Sequence, residues 1–123
     1  MGERNPKNKS VYVVELELAV AERGFFKKNN PDYKEGQPCV YVGMTGRTPT
    51  ERFAVHKSDS PKGSRKVRRF GIKLLPELYE HLNPMSWDEV NEKEKGLAEA
   101  LRGRGYGVAV SYTHLTLPTI LRV

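Results

Sequence analysis

The chain has 123 residues, room for one domain of ordinary size and too few for two. Its 37% hydrophobic content and 11 glycines support one modest core, and 21 Lys and Arg against 15 Asp and Glu leave a net charge of +6. That balance favours an anionic partner, nucleic acid being the commonest, while a single cysteine excludes a disulfide scaffold and a multi-thiolate metal site. No signal peptide is evident, and no apolar run approaches the ~18 residues needed to cross a bilayer. A reduced, soluble, cytoplasmic domain with no membrane association is expected.

Residues 1–9 are polar and basic and read as a flexible arm. The stretch SVYVVELEL then alternates, with Val11, Val13, Glu15 and Glu17 on one face and Tyr12, Val14, Leu16 and Leu18 on the other, which is the period of a strand. AVAERGFFKK is a short helix or an irregular excursion, and NNPDYKEGQP is dense in turn residues. CVYVG is a second short strand stopped by Gly43. Thr48, Pro49 and Glu51 together spell a helix start: a capping hydroxyl, a proline at the first helical position and a carboxylate three residues after the cap. The helix is predicted to run through Arg52, Phe53 and His56 to about Lys57.

After the loop SDSPKG, SRKVRRF is predicted as a short helix that buries Val67 and Phe70 and ends at Gly71. IKLLPELYEHL carries a third extended segment, with Pro76 at an edge or bend. Ser86 and Glu89 form another capping box, opening a helix from about Trp87 to Leu101 that stops at Gly103 or Gly105. These elements amount to a small α+β layer of about three strands and three helices. Residues 110–123 stand apart: they contain no acid, Arg122 is their only formal charge, and VSYTHLTLPT resembles the in-frame translation of a transposase-based sequencing adapter. They are set aside as a non-native tail, leaving a domain over 10–109 whose native C-terminus is expected to be missing.

Several residues have the chemistry of a site. On the last helix Val90, Leu97 and Leu101 share one apolar stripe, and Glu94 lies on it. A carboxylate there is costly unless it is paired or holds a metal, although an isolated glutamate often sits harmlessly at a stripe edge. Arg52 and His56, four apart, project from one helical face just after the Gly43–Gly46 loop. They read either as a phosphate clamp beside a proton-handling imidazole or as two exposed polar groups. Tyr12 and Tyr41 lie in separate strands, where an aromatic needs no further explanation. Seven basic residues, Lys57, Lys62, Arg65, Lys66, Arg68, Arg69 and Lys73, form a strip suited to tracking phosphates, with Asp59 the only acid among them. Cys39 lies inside an apolar strand and reads as an inert buried thiol.

Taken in order, Ser10-Val11-Tyr12, Tyr41-Val42-Gly43, Arg52-x-x-x-His56 and Glu94 resemble the GIY-YIG nuclease family over residues 10–108. The resemblance implies a small α/β/α sandwich around a central three-stranded antiparallel sheet, and hydrolysis of a DNA phosphodiester with one divalent ion, Mg²⁺ or Mn²⁺. It further implies that Tyr12 and Tyr41 orient or deprotonate the attacking water. Arg52 would stabilise charge on the phosphate, His56 would assist proton transfer and Glu94 would hold the metal. Ser10 and Val11 replace the first Gly and Ile, and three further departures stand out. The Tyr12–Tyr41 gap is longer than the family's, Met44 and Thr45 replace polar or basic residues often found after the second motif, and the family's late asparagine is absent. The expected function is a metal-dependent endonuclease, nicking or structure-selective, acting in DNA repair, recombination or mobile-element traffic. Its partner is DNA, which associates it with the nucleoid when bound, and the short chain points to help from a protein partner for targeting. The alternative is a non-catalytic nucleic-acid-binding module of the same fold.

Overall fold

A computed structural model describes residues 7–58 and 63–110. Strand β1 (Ser10–Leu16) is followed by a 3-10 turn at Leu18–Glu22, helix α1 (Gly24–Asn29) and strand β2 (Cys39–Thr45). Helices α2 (Pro49–Lys57) and α3 (Arg65–Phe70) lead into strand β3 (Gly71–Leu74). Two further 3-10 turns, Pro76–Leu78 and Glu80–Leu82, precede helix α4 (Trp87–Gly103) and strand β4 (Gly107–Val110). Both expected capping boxes are made, Thr48 with Glu51 on α2 and Ser86 with Glu89 on α4. They fix where each helix starts, and so the phase at which Arg52, His56 and Glu94 leave their helices.

The domain is mixed α+β, and its sheet is an open one in the order β3-β1-β2-β4. The expected three-stranded antiparallel sheet is therefore corrected to four strands. β1 pairs antiparallel with both β2 and β3, and β4 adds in parallel beside β2, setting Tyr41 opposite Ala109 and Val42 opposite Val110. GVAV is four apolar residues without alternation, too short for its period to identify it as a strand. Its ladder with β2 is supplemented by a side chain. The Asn30 amide donates to Val108 O at 3.0 Å and accepts from Val108 N at 2.8 Å, mimicking a strand partner, and Arg102 donates to both Asn30 Oδ1 and Val108 O. Asn83 does the same for Val11, at 2.9 and 2.8 Å.

The excursion between β1 and β2 is structured. Phe26 of α1 is buried, and a Cβ on Gly107 would meet its ring at 2.4 Å, so the missing side chain of Gly107 is what lets α1 close on β4. Val11, Tyr12, Val13 and Val14 are all essentially inaccessible, so β1 is covered on both faces. The buried stripe of α4 is Val90, Glu94, Ala98 and Leu101. Leu97, expected on that stripe, is only half-buried, and Ala98 takes its place. Among the described residues no helix is long and apolar enough to cross a membrane.

Candidate active site

The β1–β2 register places Tyr12 opposite Gly43 and Val14 opposite Tyr41, so both tyrosines project from one face of the sheet. Their rings lie 6.3 Å apart, and His56 of α2 stands over both, at 5.9 Å from Tyr12 and 5.4 Å from Tyr41. The capping box at Thr48 starts α2 so that position 56, two turns on, points back to the sheet. His56 is fully buried there. Gly43 makes the arrangement sterically possible, because a Cβ at this position would sit 2.6 Å from Tyr12 Oη and 2.7 Å from Cζ. Replacing Gly43 by Ala is expected to push the Tyr12 ring out of register with His56, costing about 1–3 kcal/mol of stability as an overpacked site. Chemical denaturation beside an ultraviolet tyrosinate titration would read both effects.

The hydrogen bonds around His56 have a direction. The Ser64 backbone N–H donates to His56 Nδ1 at 2.8 Å, so that nitrogen carries no proton. Burial, with the Arg52 charge in support, holds the His56 pKa down at about 4, so near neutral pH the ring is neutral. A neutral ring accepting at Nδ1 must bear its proton on Nε2, and His56 Nε2 therefore donates to Tyr12 Oη across 2.7 Å. Gly63 allows this approach, since a Cβ on it would strike the Val55 carbonyl at 2.7 Å and His56 Cα at 2.8 Å. Tyr12 Oη thus accepts from His56, the Arg52 guanidinium acts on the same oxygen, and the Tyr12 side chain favours ionisation of Tyr41 beside it.

Burial raises both tyrosine pKa values. Tyr12 is driven up further, because ionised Tyr41 would bear on it. The Arg52 charge opposes burial at both, and at Tyr41 the Ser64 and Tyr12 side chains act in the same lowering sense. Tyr41 is therefore the easier of the two to ionise. Glu94, 1% exposed on α4, raises both hydroxyls by its charge. Arg52 and Glu94 thus act on the same two oxygens with opposite sign.

The structure brings Tyr12, Tyr41, Arg52, His56 and Glu94 into one cluster, from β1, β2, α2 and α4. The basic strip is less uniform. Arg65, Lys66, Arg68 and Arg69 all lie on α3. Lys57 is committed to the fold, its Nζ donating to the Arg68 carbonyl at 3.1 Å and the Gly71 carbonyl at 2.9 Å, where it closes the end of α3. Lys73 faces Glu15 across the β1–β3 ladder, which puts it on the sheet face opposite the tyrosines. Lys62 lies outside the described residues. Ser64 and Gly43 have functional consequences that the residue pattern did not reveal. Ser64 caps α3 through Val67 N, favours ionisation of Tyr41 and fixes the His56 tautomer, a set of roles visible only once α2 and α3 are folded together.

A divalent ion suits this donor set in one particular way. Among the described residues there is no group of three or more His, Cys, Asp or Glu side chains that could cage a metal. Glu94 supplies one buried carboxylate, and Mg²⁺ is commonly held by one or two carboxylates with waters and substrate phosphate completing its shell. The residues fit an ion recruited together with a phosphate. No family model, no curated protein and no solved structure matches this chain.

Proposed function

We propose that this protein is a metal-dependent endonuclease of the GIY-YIG type that hydrolyses DNA phosphodiester bonds. The observation that carries this reading is the convergence of two neighbouring tyrosines, a neutral histidine, an arginine and a buried glutamate on one sheet face. Each answers a requirement of phosphodiester hydrolysis: an aligned water, a sink for its proton, positive charge for the phosphate and an anchor for the ion. Glu94 would hold a divalent ion, which would supply Lewis-acid charge to the phosphate.

The chain's own groups do the rest. Donors run from Ser64 N–H to His56 and from His56 to Tyr12, and the Tyr12 side chain in turn favours negative charge on the Tyr41 oxygen. Tyr41 acts as its tyrosinate, its own proton having gone to solvent: it takes the proton of the attacking water and returns to the phenol, while Tyr12 stabilises its charge. His56, already protonated on Nε2, supports the relay as a donor and not as its base. Arg52 serves twice: it lowers the tyrosine hydroxyls and stabilises the equatorial phosphate charge. The 29-residue step from Tyr12 to Tyr41 does not impede this, because α1 is folded back on β4 and leaves the β1–β2 pairing continuous.

Incubating the full chain with supercoiled plasmid is the direct test. Mg²⁺ is expected to yield nicked circles, and an excess of chelator is expected to stop the reaction. Salt-sensitive binding with no nicking under either condition would replace this reading by that of a non-catalytic nucleic-acid-binding module.

A further inference from the structure

Arg23, Phe25, Ser64, Arg65, Lys66, Arg68, Arg69 and Phe70 line a groove of about 660 Å³ between α1 and α3. Every ionisable group in that lining is cationic. Two aromatic rings organise it. Phe70, 7% exposed, is flanked by Arg69 with its guanidinium 5.3 Å from the ring centre and by Arg23 at 5.9 Å. The ring therefore holds two guanidinium groups at the groove before any ligand arrives. Phe25 is different: it is 40% exposed, with Lys66 Nζ 5.1 Å from its centre. An exposed phenyl ring amid cations gains little by itself, but it is what an unpaired base stacks on while its phosphates meet the surrounding charges. Bases in a duplex are already stacked and paired, and cannot use that ring. The groove also leads to the cluster described above, because Ser64 lines it and donates to His56 Nδ1 at 2.8 Å.

We infer that this groove holds an unpaired strand of DNA, one base stacked on Phe25 and its phosphates on Arg65, Lys66, Arg68 and Arg69, and that it leads that strand toward Tyr41 and His56. The inference rests on the nuclease reading for what the strand is used for, making the substrate a junction between duplex and single strand. Binding to the groove is independent of cleavage.

The test is fluorescence anisotropy in chelator, with a labelled oligo-dT of about 12 nucleotides and a duplex of equal length, both within the range one such groove spans. Phe25→Ala is expected to weaken oligo-dT binding about tenfold or more and to leave the duplex within about twofold, and Phe25→Tyr is expected to restore it. Arg65→Ala should weaken both and flatten the salt dependence. Unchanged oligo-dT affinity in Phe25→Ala, equal loss on both probes, or failure of Phe25→Tyr to restore binding would overturn the inference. The exposed position of Phe25 keeps folding out of the comparison, and thermal melts of both variants check this. If plasmid nicking persists while these binding differences are absent, the groove assignment alone is wrong. If the binding differences appear without nicking, the groove stands and the nuclease reading falls.

Discussion

Exchanging Glu94 for Gln is expected to remove metal-dependent nicking while leaving the melting temperature close to that of the parent chain. Gln keeps the volume and one acceptor oxygen of a side chain that is 1% exposed at the centre of α4, so the helix should still pack through Val90, Ala98 and Leu101. What it removes is the anionic oxygen a divalent ion needs. Glu94→Ala is the poorer probe, because it adds a buried cavity to the loss of charge. Arg52→Ala should fail for the complementary reason, the phosphate charge being left without its guanidinium. A loss of at least about 10²-fold in rate is expected for each, the scale on which single preorganised electrostatic groups act. A second readout needs neither metal nor DNA. Glu94 raises both tyrosine hydroxyls, so Glu94→Gln should shift the ultraviolet tyrosinate titration to lower pH, and Arg52→Ala should shift it upward. Undiminished nicking in both variants would leave the cluster without a catalytic role.

The parts of this protein that were legible in its sequence are those written locally. Thr48-Pro49-Thr50-Glu51 states a helix start within four residues, and the structure places α2 from Pro49 to Lys57, as the pattern predicted. The alternation from Val11 to Leu16 states a strand, and with it the shared face of Tyr12 and Tyr41 once β1 and β2 pair. What could not be read depends on contacts between distant segments. β4 joins the sheet through its ladder with β2 and is bonded along its other side by the Asn30 amide, 78 positions from Val108, so nothing in GVAV itself marks a fourth strand. Leu97 and Ala98 exchange places on the buried stripe because the sheet, and not the larger side chain, decides which side of α4 faces inward. Lys57 looked like a phosphate ligand on composition alone, but its ammonium is already engaged by the carbonyls that close α3. Gly43 was expected to stop β2, but the strand runs on to Thr45, and Gly43 is instead the gap within it into which Tyr12 fits. The donor order through Ser64, His56 and Tyr12 was beyond sequence reading altogether, since it turns on which ring nitrogen a backbone N–H reaches.

Lowering the pH from about 6.5 to about 4 is expected to destabilise this fold through His56. The histidine is fully buried and neutral, with its pKa held down at about 4 against an unfolded value of 6.5, first by burial and then by the Arg52 charge. A depressed pKa means that the unfolded chain takes up the proton first. The stabilisation is therefore complete above pH 6.5, declines as the pH falls through the window between the two values, and is exhausted below about 4. At ~1.4 kcal/mol per unit the full loss is about 3 kcal/mol, a large share of the stability of a domain this size. Protonation at Nδ1 would also set two donors, the ring and the Ser64 N–H, against each other. His56→Gln separates this from the general effect of acid: its amide can accept from Ser64 and donate to Tyr12, yet it does not titrate. Urea unfolding of both chains at intervals from pH 7.5 to 3.5 should show the parent falling toward the variant across the histidine window. The Glu89 carboxylate, held down to about 2 by its hydrogen bonds with Lys7 and Ser86, titrates lower and affects both chains alike. Parallel stability curves for the two chains would mean that His56 takes up its proton as readily in the fold as in the unfolded chain, and with that the directed relay from Ser64 to Tyr12 would be lost.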